Sequence, residues 1–336
     1  MRITPIGRIT IFLILGLATF FLLKRFSEKN IEKSTDKHDS TVNPIDSPRQ
    51  GKTGQKVDGN VKEKSRSFDY TPEMPVNGTL RGVVEVGATG FNAFVIEMDK
   101  QKRWKMISKD FGRSLAYENL ATTDDIRIGL KKFFSTMFDQ GVLSRNMHFV
   151  ISSGAQREPK TLVISNELKK MGYIVNLVTA EQEGKFALRA TVPLPYQQNS
   201  FLVDIGSGTT KISWEEDDRL RALGADGSKY YEHGRSDADV YDEVKGQAAH
   251  VPGKKTNTCF IIGGVPYSLS LQSRASPEER YTILDNPGRY KAADKKMACG
   301  LNIYKAVADA TGCNNFVFDA DANFTIGFLL SLRERE

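Results

Sequence analysis

Two segments of the chain hold residue types suited to gripping an anion: Gly87-Ala88-Thr89-Gly90 and Gly206-Ser207-Gly208-Thr209-Thr210. Neither carries a bulky side chain, so backbone N–H groups can approach a negative group closely, and the hydroxyls add donors. Each follows an apolar run that ends in acid-x-Gly, with Glu85 in VVEVG and Asp204 in LVDIG. A strand-end carboxylate cannot hold phosphate directly. It can hold Mg²⁺, usually through water, and the ion then bridges to phosphate oxygens. Gly87, Ala88, Thr89, Gly206, Ser207, Gly208 and Thr209 are therefore candidate phosphate binders. Asp204 and Glu85 are candidate ligands of a Mg²⁺ cofactor.

The elements around these turns recur. From Val83 the chain reads VVEVGATGFNAFVIEMDKQKRWKMIS, and from Leu202 it reads LVDIGSGTTKISWEEDDRLRALGA. Each stretch is an apolar strand, a small-residue turn, a second strand, a charged hairpin turn and a third strand. After each, helical and strand patterns alternate: TTDDIRIGLKKFFSTMFDQG, MHFVISSG, TLVISNELKKMG, YIVNLVT and AEQEGKFALRAT follow the first. ADVYDEVKGQAAH, TCFIIGG, KAADKKMACGLNIYKAVADATG, NNFVFDAD and ANFTIGFLLSL follow the second. Whole α/β units repeated within one chain predict two similar lobes facing one another across a cleft. The expected boundaries are 78–197 for the first lobe and 198–336 for the second.

The first 77 residues differ in kind. Residues 9–23 (ITIFLILGLATFFLL) are 15 residues without a charge, bracketed by Arg8 and Lys24-Arg25. At about 1.5 Å per residue they span roughly 22 Å, which flanking cations can extend by snorkelling. No A-x-A cleavage pattern follows, so residues 1–25 read as an uncleaved single-pass membrane anchor. The flanking charges do not decide which side the rest occupies. Residues 26–77 carry nine bases and nine acids and few apolar side chains, the composition of a disordered linker.

Charge narrows the partners. The formal net charge is +6, of which Arg2, Arg8, Lys24 and Arg25 supply four. The folded part is nearly neutral, which argues against a nucleic-acid-binding face. The three cysteines, Cys259, Cys299 and Cys313, form no CxxC pair, and the four histidines form no HExxH pair. A zinc site or a disulfide framework is therefore not expected.

The order of these segments resembles the actin and sugar-kinase fold with its duplicated ribonuclease-H-like lobes. Within it, they resemble the exopolyphosphatase/guanosine-pentaphosphate phosphatase (Ppx/GppA) family over about residues 80–332. VVEVGATGFNAFVIE resembles that family's first phosphate segment and LVDIGSGTTKISW its second. SSGAQREP resembles a strand end followed by an arginine, here Arg157, and VTAEQEGKF resembles the segment of the family's catalytic glutamate, here Glu183. The closing YKAADKKMACGLNIYKAVADATGCNNFVFDADANFTIGFLL resembles the family's last helix–strand–helix. The resemblance implies hydrolysis of a terminal phosphoryl group of polyphosphate or of a phosphorylated nucleotide. In it Glu183 orients and deprotonates a water, Arg157 takes charge on the transferred group and Mg²⁺ rests on Asp204 and Glu85.

The chain departs from the family pattern at several places. Glu85 stands for Asp, Ala-Thr-Gly for Ser-Asn-Ser, Gln182 for a frequent second acid, and Gly184-Lys185 for Ala-Arg. Phe-Thr-Ile-Gly around Thr325 replaces Leu-Arg-Glu-Gly. These departures leave two other readings open: a catalytically weak sensor of a phosphate ligand, and an actin-like ATP-binding assembly protein. A homodimer is a further candidate assembly.

Overall fold

A computed structural model of the chain describes residues 68–87, 90–116 and 122–333. The expected anchor at 9–23 lies outside them. Among the described residues no helix is long and apolar enough to cross a membrane.

The first half builds a five-stranded sheet from β1 (Thr79–Val86), β2 (Gly90–Met98), β3 (Trp104–Ala116), β4 (Met147–Ile151) and β5 (Val175–Leu177), in the order β3-β2-β1-β4-β5. The second builds a six-stranded sheet from β6 (Ser200–Ile205), β7 (Thr209–Glu216), β8 (Arg219–Asp226), β9 (Thr258–Gly263), β10 (Tyr281–Leu284) and β11 (Phe316–Asp319), in the order β10-β11-β9-β6-β7-β8. In each sheet an antiparallel three-strand meander leads and parallel strands follow. The repeat written in the sequence is thus a repeat of topology. The second sheet alone adds β10 as an antiparallel edge beside β11.

The helices are α1 (Thr123–Asp139), α2 (Pro159–Lys170), α3 (Ala180–Thr191), α4 (Asp237–Ala248), α5 (Gly264–Ser273), α6 (Lys295–Thr311) and α7 (Phe324–Ser331). They sort into three layers. Leu130 and Phe134 of α1 and Ile164 and Leu168 of α2 pack with Val84, Val86 and Phe149 on one face of the first sheet. Val240 and Val244 of α4, Leu269 of α5 and Tyr304 and Val307 of α6 pack with Val203, Ile205 and Ile261 on one face of the second. Ala187 and Leu188 of α3 and Ile326 and Leu329 of α7 fill the layer between the sheets, against Val83, Phe94 and Val150 on one side and Leu202, Phe260 and Val317 on the other.

Strand alternation then decides where the acids point. Side chains two apart share a face. Val83 and Leu202 both face the layer between the sheets, so Glu85 and Asp204, two residues on, face it as well. The two acids project toward each other from the ends of β1 and β6.

The structure departs from the sequence reading in several elements. The segment GVPYSLSLQS after β9 is a helix, α5, where no helix was expected. β3 runs on past Ser108 to Ala116, with register shifts against β2. Helix α6 begins four residues later than expected, because Asp294 caps it by accepting from the Met297 N–H at 2.7 Å. The composition-based linker reaches residue 77, yet Phe68, Tyr70 and the backbone of Val76 within its last ten residues contact the folded unit. The Phe68 ring lies 5.0 Å from that of Tyr196 and 5.2 Å from that of Tyr281. The Val76 N–H donates to Asp99 Oδ2 at 3.0 Å.

Candidate functional site

The two small-residue turns have the same construction. Gly87 N–H donates to Gly90 O at 2.8 Å, and Gly206 N–H donates to Thr209 O at 3.1 Å. A Cβ on Gly206 would lie 2.7 Å from Thr209 O, so the tight turn requires glycine there. The second turn is braced from behind. Gly208 O, Gly206 O and Ser207 O accept from the N–H groups of Gly227, Ser228 and Lys229 at 3.3, 2.9 and 2.9 Å. Its carbonyls are therefore turned into the protein. The N–H groups of Ser207 and Gly208 donate to nothing among the described residues, which leaves them for an anion. Ala88 and Thr89 of the first turn lie outside the described residues.

Each turn joins two strands in the same register. Glu85 stands directly opposite Asn92 in the β1–β2 ladder, and Asp204 directly opposite Lys211 in the β6–β7 ladder. Opposite residues share a face and lie within side-chain contact. Asn92 Nδ2 donates to Glu85 Oε2 at 2.9 Å, and Asn323 Nδ2, from the N-cap of α7, donates to the same oxygen at 3.3 Å. The second hairpin sets a cation where the first sets an amide.

Helix α3 delivers the third acid. Thr179 caps it in a reciprocal box with Gln182: Thr179 Oγ1 accepts from the Gln182 N–H at 3.2 Å and Gln182 Oε1 accepts from the Thr179 N–H at 2.9 Å. Gln182, which stands where the resemblance expects an acid, is thus occupied in starting the helix. Glu183 falls in the first turn, 1% exposed. Its Oε2 lies 2.5 Å from Lys211 Nζ, and its Oε1 accepts from the Ser153 N–H at the end of β4. The approach is close because position 184 is glycine. A Cβ there would lie 2.7 Å from both Ala222 Cβ and Ser213 Oγ. Lys185 turns outward and pairs with Glu181 at 2.6 Å.

Lys211 is thus ringed by Asp204, Glu183 and Glu85. Burial works against its ammonium, but the three carboxylates, Asp204 first, more than offset that, and its pKa lies above the usual lysine value. Burial pushes Glu85 up to about 7; the Asn92 hydrogen bond opposes this, and the charges of Glu183 and Asp204 add to it. Burial also raises Asp204, with Lys211 opposing and Glu183 adding. The hydroxyl of Ser153, beside Glu183, is buried and makes no hydrogen bond among the described residues. Arg157 lies in a short 3₁₀ turn, Ala155–Arg157, that follows β4; its side chain lies outside the described structure.

Solved structures share this arrangement of elements. The crystal structure of the Ppx/GppA family member from Aquifex aeolicus covers 75% of this chain and 97% of its own, at 15% identity and a TM-score of 0.57. An exopolyphosphatase from Cytophaga hutchinsonii covers 76% of this chain and 99% of its own, at 14% identity and a TM-score of 0.58. The chain has the fold of the Ppx/GppA proteins. No family model matches the sequence, and no curated protein matches it.

Within this Ppx/GppA fold the arrangement joins Glu85, Glu183 and Asp204, one from each sheet and one from the helix between them. The residues do not fit a Mg²⁺ ion. Such an ion takes one or two carboxylates and several waters at about 2.0–2.1 Å. Here an ammonium touches Glu183 and faces Asp204, while Glu85 accepts from two amides. Among the described residues no group of three or more His, Cys, Asp or Glu side chains is arranged to hold a metal ion. The expectation of Mg²⁺ on Asp204 and Glu85 therefore conflicts with the Lys211 side chain.

Four contributors escaped the sequence reading: Lys211, Asn92, Asn323 and Ser153. A signal for the first two was present, since each lies seven residues after its acid in the duplicated hairpins. Asn323 is 238 residues from Glu85, and no local pattern joins them.

Proposed function

We propose that the chain binds a terminal phosphoryl group of polyphosphate or of a phosphorylated nucleotide between its two lobes and cleaves it by hydrolysis. The observation that carries this is the convergence of Glu183 with the strand-end acids beside a braced turn whose N–H groups are available to an anion. The Ser207 and Gly208 amides orient the phosphoryl group. Glu183 keeps a free lone pair on each oxygen after meeting Ser153 and Lys211, and it uses one to orient the attacking water. Lys211 holds the Glu183 carboxylate in place. Arg157, on the turn after β4, takes charge on the leaving or transferred oxygens. Residues 9–23 tether the unit to a membrane.

A second reading, a phosphate-ligand sensor with little turnover, is favoured by one observation: both oxygens of Glu183 are already engaged. A carboxylate so held has less freedom to move against an attacking water. Phosphate release by the full chain from polyphosphate, ATP or guanosine pentaphosphate separates the two. Release that Glu183→Gln abolishes supports hydrolysis. Ligand-induced thermal stabilisation without release supports the sensor. Neither effect with any of the three overturns both.

A further inference from the structure

We infer that Lys211 is the built-in cation of this cleft: its ammonium occupies the place between the two acid-bearing hairpins, and a phosphoryl ligand binds beside it without a divalent metal. This deepens the proposed function and rests on it for the identity of the ligand. It does not rest on turnover.

The argument is geometric. Lys211 is fixed by β-register opposite Asp204, so its side chain shares that acid's face. It is 7% exposed and is held at its tip by Glu183. A Cβ on Gly206 would lie 3.8 Å from Lys211 Nζ, so the ammonium sits directly beneath the turn whose amides face an anion. A metal bound by Asp204 beneath that turn would have to share the space with this ammonium. A buried lysine with carboxylate partners keeps its charge and does not withdraw. It therefore supplies one fixed positive charge, with donors that can reach a phosphoryl oxygen.

The contrast with the first hairpin sharpens the point. There the residue at the matching register is Asn92, a neutral amide that satisfies Glu85 by donating to it. The cation is confined to the hairpin whose turn is braced by residues 227–229. The asymmetry predicts that the anion is held on the second hairpin.

Two measurements on the full chain test this. The first is Mn²⁺ uptake, read by electron paramagnetic resonance, for the wild type, Lys211→Met and Lys211→Gln. The expected result is no stoichiometric Mn²⁺ on the wild type and one equivalent on a folded Lys211 variant, lost again when Asp204→Asn is added. One equivalent on the wild type, removed by Asp204→Asn, overturns the inference, as does a folded Lys211 variant that takes up none. The second is calorimetric binding of inorganic tripolyphosphate with EDTA or with Mg²⁺ present. Affinity in EDTA within threefold of that in Mg²⁺ supports the inference; a larger loss in EDTA, or no binding in either buffer, overturns it. If the Lys211 variants do not fold, the wild-type measurements decide. Failure of phosphate release would count against hydrolysis and leave these readouts intact.

Discussion

Lys211 stands directly opposite Asp204 in the β6–β7 ladder and reaches across to Glu183 Oε2 at 2.5 Å. This one side chain joins a strand of the second sheet to the helix that lies between the sheets. Around it the duplicated fold converges on three carboxylates. The chemistry of the cleft follows from how that charge is shared.

Stability should depend on pH through Glu85. Its folded pKa is raised to about 7 from an ordinary carboxylate value. A raised carboxyl pKa means that the folded state binds more protons than the unfolded state between about 4.5 and 7. Stability then falls as pH rises through that window. The contribution is on the order of 3 kcal/mol. Thermal unfolding of wild type and Glu85→Gln at pH 5 and pH 8 measures it. The variant should gain on the wild type at pH 8 relative to pH 5; an equal difference at both pH values contradicts the assignment.

Gly184 sets the distance between α3 and the second sheet. Gly184→Ala puts a methyl group 2.7 Å from Ala222 Cβ and Ser213 Oγ. It should cost about 1–3 kcal/mol and weaken tripolyphosphate binding by displacing Glu183. Gly246→Ala is the control. Gly246 lies in α4 with open space around it, so alanine should stabilise by about 0.5–1 kcal/mol. Denaturant melts of the two variants should move in opposite directions.

Two ion pairs differ sharply in burial. Arg280 pairs with the fully buried Asp319 through two bonds of 3.0 Å and stacks on Trp104, 4.5 Å from the ring centroid. Arg280→Ala strands a buried carboxylate and should cost about 3–5 kcal/mol. Lys109 reaches Asp321 at 2.9 Å in a more open setting, so Lys109→Ala should cost less than about 1 kcal/mol. Chemical denaturation compares them, and equal costs would contradict the burial argument.

Much of this architecture can be read from residue patterns. The near-continuous apolar runs in VVEVG and LVDIG mark buried strands, and the repeat of strand, turn and strand locates Glu85 and Asp204. Thr179 with Gln182 marks the start of α3 and so the place of Glu183. The rest is hidden for physical reasons. Helix α5 follows Gly263, opens on Gly264 and carries Pro266, residue types that favour turns over helices. Pro266 falls in the first helical turn, where its missing N–H costs nothing. Lys211 shares its face of β7 with Thr209, Ser213 and Glu215, a polar set that alternation assigns to solvent, yet it is 7% exposed. Only the acids packed around it make a lysine tolerable there, and those come from three separate segments. Asn323 reaches Glu85 through chain closure alone.

The most direct test of the account is a crystal structure of the full chain with inorganic tripolyphosphate. The account predicts a phosphoryl group on the Ser207 and Gly208 N–H groups, with an oxygen within hydrogen-bond reach of Lys211 Nζ. Tripolyphosphate bound away from the 206–209 turn, or density for a divalent ion on Asp204 with Lys211 swung out of the cleft, would contradict it.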